Sequence, residues 1–64
     1  MRTLEQTLFD DLQDTEFYTY ALYNKNGKQI GYGEGIGDFN KDYHNKKVIS
    51  RIREDGIIKL KIDY

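Results

Sequence analysis

The sequence has no cysteine, no proline and no tryptophan, and it holds one histidine, one methionine and one serine. Without cysteine there is neither a disulfide framework nor a thiolate zinc site. A lone His44 and a lone Ser50 leave too few parts for a nucleophile, an activating base and an orienting third group. The chain is therefore expected not to be an enzyme, with no catalytic residues and no cofactor. No apolar run approaches the roughly 20 residues that span a bilayer, and no secretory signal opens the sequence. The expected compartment is a reducing cytoplasm, away from membranes. An excess of one charge is lacking too, with a formal net charge of −1. General nucleic-acid binding usually needs a basic excess, so another protein is the expected partner rather than nucleic acid.

What is present is a short, mixed-charge, aromatic chain. Its 64 residues are 38% hydrophobic, 33% charged and 14% aromatic, including six tyrosines. That composition folds, as a single domain spanning residues 1–64. A chain of this size hides only about 60% of its unfolded surface, so its core is small. Tyrosine suits such a chain in two ways: it stretches a thin core, and it forms contact surfaces. Charge is uneven along the sequence. Residues 1–24 carry one basic and five acidic side chains, whereas residues 25–64 carry nine basic and six acidic ones.

Thr3 and Gln6 have the spacing of a capping box, and Leu4, Leu8 and Leu12 recur at helical intervals. This predicts a short helix over residues 4–13. The run from Glu16 to Tyr23 alternates two apolar faces, with Tyr18, Tyr20 and Leu22 on one of them. The turn Asn24-Lys25-Asn26-Gly27 and the return Lys28–Gly33 complete a predicted hairpin over 16–33. From Gly31 to Gly37 every second residue is glycine. If extended, that run offers a face without side chains, against which something can lie closely; the competing reading is a flexible connection. No G-x-G-x-x-G register or βαβ unit supports dinucleotide binding.

Asp38 reads as the N-cap of a short helix over 38–44, with Phe39 and Tyr43 four apart on one face. The residues 47–63, broken by Glu54-Asp55-Gly56, predict a second hairpin; a helix running on from Asp38 through Ile52 competes with it. The fold class is then α+β: a small antiparallel sheet of three or four strands with one or two short helices. Asp38-x-Asn40-x-Asp42 opens like a calcium loop, but Tyr43 stands where glycine is needed and Ile49 where glutamate is needed, so no metal is expected. Lys47, Arg51, Arg53, Lys59 and Lys61 make the last hairpin basic. They form a solvated face, or they track phosphates while tyrosines stack bases; this single-stranded nucleic-acid reading is the alternative function.

The order of these features resembles a known family. An Asp-x-x-Phe start at Asp14, the turn ending Gly27-Lys28-Gln29, Asp38-Phe39 with Tyr43 following, and Ile57-Ile58-Lys59-Leu60-x-Ile62-Asp63 are similar to the small inhibitor of uracil-DNA glycosylase from short-tailed phages of Gram-positive hosts. The similarity covers residues 14–64 with gaps. It implies a homodimeric α+β DNA mimic that fills the DNA-binding cleft of the glycosylase and traps the apolar side chain probing the minor groove. It also implies host cytoplasm as the place of action. On this resemblance Phe39 and Tyr43 form the trap, with Asp38 beside them, and Glu34 stands for an acid of the second strand. Tyr32 and Asn40 complete the implied partner-binding set. Asn40 departs from the family, which has an acid there, and so does the near-zero net charge. The first helix has no family counterpart. Acids around an aromatic cleft would steer a basic partner, while the rings anchor it. The competing role for Phe39 and Tyr43 is to pack their helix on the sheet.

Overall fold

The computed structural model describes residues 1–13 and 18–64. Helix α1 (Leu4–Asp11) is followed by strands β1 (Thr19–Tyr23) and β2 (Gln29–Gly33). Two 3-10 turns, Ile36–Asp38 and Lys41–Tyr43, lead to strands β3 (Val48–Glu54) and β4 (Ile57–Ile62). The class is α+β, with one helix and a four-stranded sheet of order β2-β1-β4-β3. The expected start of the first strand, Asp14 to Phe17, lies outside the described residues.

Both hairpins form where the turn chemistry places them. Asn24 accepts from the Asn26 and Lys28 amides through its side chain, each at 3.0 Å, while Gly27 takes the left-handed φ of 87°. Asp55 and Gly56 both sit at positive φ between β3 and β4, as a two-residue primed turn requires. The reading of a helix through Ile52 is thereby excluded, because 48–54 is strand. One feature departs from the antiparallel expectation. The first strand of the first hairpin, β1, docks in parallel on the second strand of the second, β4, Tyr20 opposite Ile58 and Leu22 opposite Leu60, so the sheet is mixed.

Cross-strand partners share a face of a sheet, so the register sorts the side chains. Tyr20 and Leu22 lie on the core face with Ile58, Leu60 and Ile62, and all five are buried. Burying one such aliphatic side chain stabilises by about 1.5–3 kcal/mol. On the opposite face one row runs Tyr32, Ala21, Lys59, Ile52 across all four strands. The next runs Gln29, Tyr23, Lys61, Ser50.

Helix α1 covers the core face with Leu4 and Leu8. Its capping box forms, with Thr3 Oγ accepting from the Gln6 amide and Gln6 Oε1 from the Thr3 amide. The Leu4 and Glu5 amides, orphans of the first turn, donate to the carbonyls of Lys46 and His44. The helix ends two residues before the expected boundary, and Leu12, the third leucine of the stripe, is 71% exposed. No helix among the described residues is long and apolar enough to cross a membrane.

The alternate glycines do present a bare backbone. A Cβ on Gly31 would lie 2.8 Å from Phe39 Cδ1, and one on Gly33 would lie 2.4 Å from Asp38 Cβ. The segment after β2 folds back over these two positions. It is not the α-helix predicted for 38–44. Phe39 has extended backbone between the two 3-10 turns, and Asn40, not Asp38, caps the second by accepting from the Asp42 amide.

Candidate protein-binding surface

The structure disperses the residues expected to form one partner-binding set. Phe39 is 5% exposed and belongs to the core cluster, so its ring is spent on packing over Gly31. Tyr43 is half-buried and meets Tyr64 edge-on, with ring centroids 4.7 Å apart. The two rings therefore do not form the exposed cleft that a shared helical face would have given. His44, half-buried beside them, donates from Nε2 to the Phe39 carbonyl at 3.0 Å. Asp38 Oδ2 accepts from the Glu34 and Gly35 amides at 2.9 and 3.2 Å, which ties the Glu34 backbone to the first 3-10 turn. Asn40 is a local cap, and Tyr32 lies on the opposite face of the sheet. Of the set, only Asp38 and Glu34 are brought together. The basic hairpin is split as well: Arg51 and Arg53 pair with core-face Leu60 and Ile58, whereas Lys59 and Lys61 face the other way.

An apolar pocket of about 80 Å³ opens instead between α1 and the first 3-10 turn. Leu8, Phe9, Leu12, Tyr18, Tyr20 and Ile36 supply its apolar walls. Glu5, Asp11 and Glu34 stand among them. A water needs about 10–15 Å³ of such space, so the pocket admits a side chain of several heavy atoms. Phe9 and Leu12 are 64% and 71% exposed, which extends the apolar lining into an open lip. Sequence reading missed this place because Phe9 falls off the leucine stripe. The available signal was the acidic balance of residues 1–24, which the fold concentrates here through Glu5 and Asp11.

The carboxylates differ in their engagement. Asp11 accepts from the Tyr20 hydroxyl at 2.6 Å and pairs with Arg51 at 3.2 Å, bonding α1 to β1 and β3. Arg53 lies over the Tyr18 ring, 5.4 Å from its centroid. Arg2 pairs with Asp10 on the outer side of α1. Glu5 and Glu34 make no ion pair among the described residues and leave the pocket mouth acidic. Among those residues no three His, Cys, Asp or Glu side chains gather as a metal site.

Burial, then the bond to Asp11 and that carboxylate's charge, push the Tyr20 hydroxyl well above the usual tyrosine range. The folded chain thus keeps this proton after the unfolded chain, titrating near about 10, has released it. Above about pH 10 the unfolded state binds fewer protons, so stability must fall as pH rises. Tyr20→Phe should cost about 1 kcal/mol at neutral pH, for the lost hydrogen bond. It should also make the alkaline decline shallower. Urea titrations of both proteins at neutral and alkaline pH check this, and an equally steep decline in the variant would assign the sensitivity to other groups.

No protein-family model, curated protein or solved structure matches the chain.

Proposed function

We propose that this protein is an inhibitor that blocks the DNA-binding cleft of uracil-DNA glycosylase by mimicking DNA. The observation that carries the reading is the acid-rimmed apolar pocket beside α1. Its walls take an apolar side chain from the partner, the part assigned by resemblance to Phe39 and Tyr43. Its carboxylates face the basic lining of a cleft built for phosphates. A single apolar anchor in such a pocket is a hot-spot arrangement. The acids contribute mainly to rate and salt sensitivity. The protein acts as a homodimer on this reading, because its core is small and edge strand β3 exposes Ile49 and is open to pairing. Its place of action is the cytoplasm of a phage-infected bacterium.

The test is uracil excision by purified bacterial glycosylases with rising amounts of this protein. Excision should fall, and the inhibition should weaken as salt is added. Phe9→Ala combined with Leu12→Ala removes two exposed walls and should leave the melt in place. It should raise the inhibitory concentration roughly thirtyfold, the equivalent of about 2 kcal/mol. Undiminished excision with glycosylases from several bacteria would end this reading. Sedimentation as a monomer at micromolar concentration would remove the dimer from it.

A further inference from the structure

The side of the sheet covered by α1 holds the acids of the pocket together with Arg51 and Arg53. The other face has no described helix or turn packed on it, because α1, Phe39 and Asp38 all lie against the core face. Its strand residues include one acid, Glu54, and two lysines, Lys59 and Lys61. Lys59 bonds Glu54 at 2.9 Å, an exposed pair of the kind that contributes little and is readily exchanged. Lys61 makes no ion pair among the described residues.

Aromatic rings accompany this positive charge. Tyr32 is 58% exposed on edge strand β2. Tyr23, half-buried, stands one row along on the neighbouring strand. A β-bulge on β2 lies between the two rows, so the rings stand on separate rows of the face, each a platform for its own base. The lysines lie on the next strand, in the same two rows as the tyrosines.

We infer that this open face binds a single-stranded nucleic acid, with bases stacked on Tyr32 and Tyr23 and phosphates at Lys59 and Lys61. Stacking on aromatic platforms is tolerant of sequence, since every base has a π-face. A second copy stacked here on a two-fold axis would press lysines against their like, which charge complementarity disfavours.

Fluorescence anisotropy of a labelled oligothymidylate, titrated with the full chain, tests the assignment. Two neutralised phosphates give a slope of log affinity against log salt of about −1.4, at roughly −0.7 for each. Lys61→Gln should reduce that slope by about half. Lys41→Gln, in the second 3-10 turn on the far side, should leave it unchanged. Tyr32→Ala, at an exposed site that should fold normally, should lower affinity by about fivefold to a hundredfold. The matching oligouridylate, titrated alongside, tells whether the deoxyribose or the ribose strand is preferred; no binding of either, or binding indifferent to both Tyr32→Ala and Lys61→Gln, would overturn the assignment. A dimer in sedimentation that Tyr32→Ala dissociates would give the face to a second copy and overturn it equally.

Discussion

Replacing Phe39 by alanine is expected to unfold a large part of the protein at 25 °C. The ring is buried, lies over the bare backbone at Gly31, and joins the cluster of Leu22, Leu60 and Ile62. Truncating a core phenylalanine costs about 3–5 kcal/mol. A domain of this length holds roughly 3–10 kcal/mol in all, at about 0.05–0.15 kcal/mol per residue. Each kcal/mol lost moves the melting point by about 4–8 °C at this size, so the fall should be tens of degrees. Tyr43→Ala, at a half-buried ring set edge-on to Tyr64, should fall much less. Circular dichroism melts of the two variants compare them directly. A Phe39→Ala melt within a few degrees of the parent would return the ring to the surface, and with it the trap implied by the family resemblance.

Gly33→Ala is expected to destabilise by about 2–4 kcal/mol although it adds a single methyl group. That methyl would stand 2.4 Å from Asp38 Cβ, so the whole first 3-10 turn must shift. Overpacking of this kind costs about 1–3 kcal/mol. The shift also disturbs the Asp38 carboxylate that holds the Glu34 and Gly35 amides, at about 1 kcal/mol more. Gly35→Ala and Gly37→Ala provide the contrast, since nothing lies within 4 Å of either added Cβ. They should be neutral or stabilising by a few tenths of a kcal/mol, through loss of freedom in the unfolded chain. Urea midpoints of the three variants separate the cases. Equal midpoints would mean that the turn does not rest on β2.

Local chemistry makes much of this architecture legible in the sequence. Asn24 and Gly27, Asp55 and Gly56, and Thr3 with Gln6 each act within a few residues, and each forms the turn or cap its chemistry implies. The glycine run is readable as a close-approach surface, though not what approaches it. Phe39 misleads because the i, i+4 rule assumes α-helical backbone, and here an extended residue separates two short turns. The parallel pairing of β1 with β4 leaves no trace in either hairpin, since register between distant strands is a tertiary choice. The register of the β3-β4 hairpin itself, Arg51 opposite Leu60 and Ile52 opposite Lys59, separates Arg51 and Arg53 from Lys59 and Lys61. The pocket is illegible for a third reason: Phe9 and Leu12 look like ordinary exposed apolar residues until Ile36 and Tyr18 come to rest beside them.

The parallel seam at the centre of the sheet also sets the order in which the molecule can assemble. Each hairpin closes over a short loop, an event of about 1–10 μs. The seam joins Tyr20 to Ile58, and bringing positions so far apart in sequence together costs about 3 kcal/mol in chain entropy before any contact is gained. Leu22, Ile58, Leu60 and Ile62, fully buried together with Leu4 of α1, lie on the two strands of that seam, so the core closes only when the hairpins dock. The barrier to folding therefore lies in their docking. Weakening a hairpin turn, already closed when the hairpins dock, should therefore slow folding, as should weakening Leu22 or Leu60, whose contacts form in the docking itself.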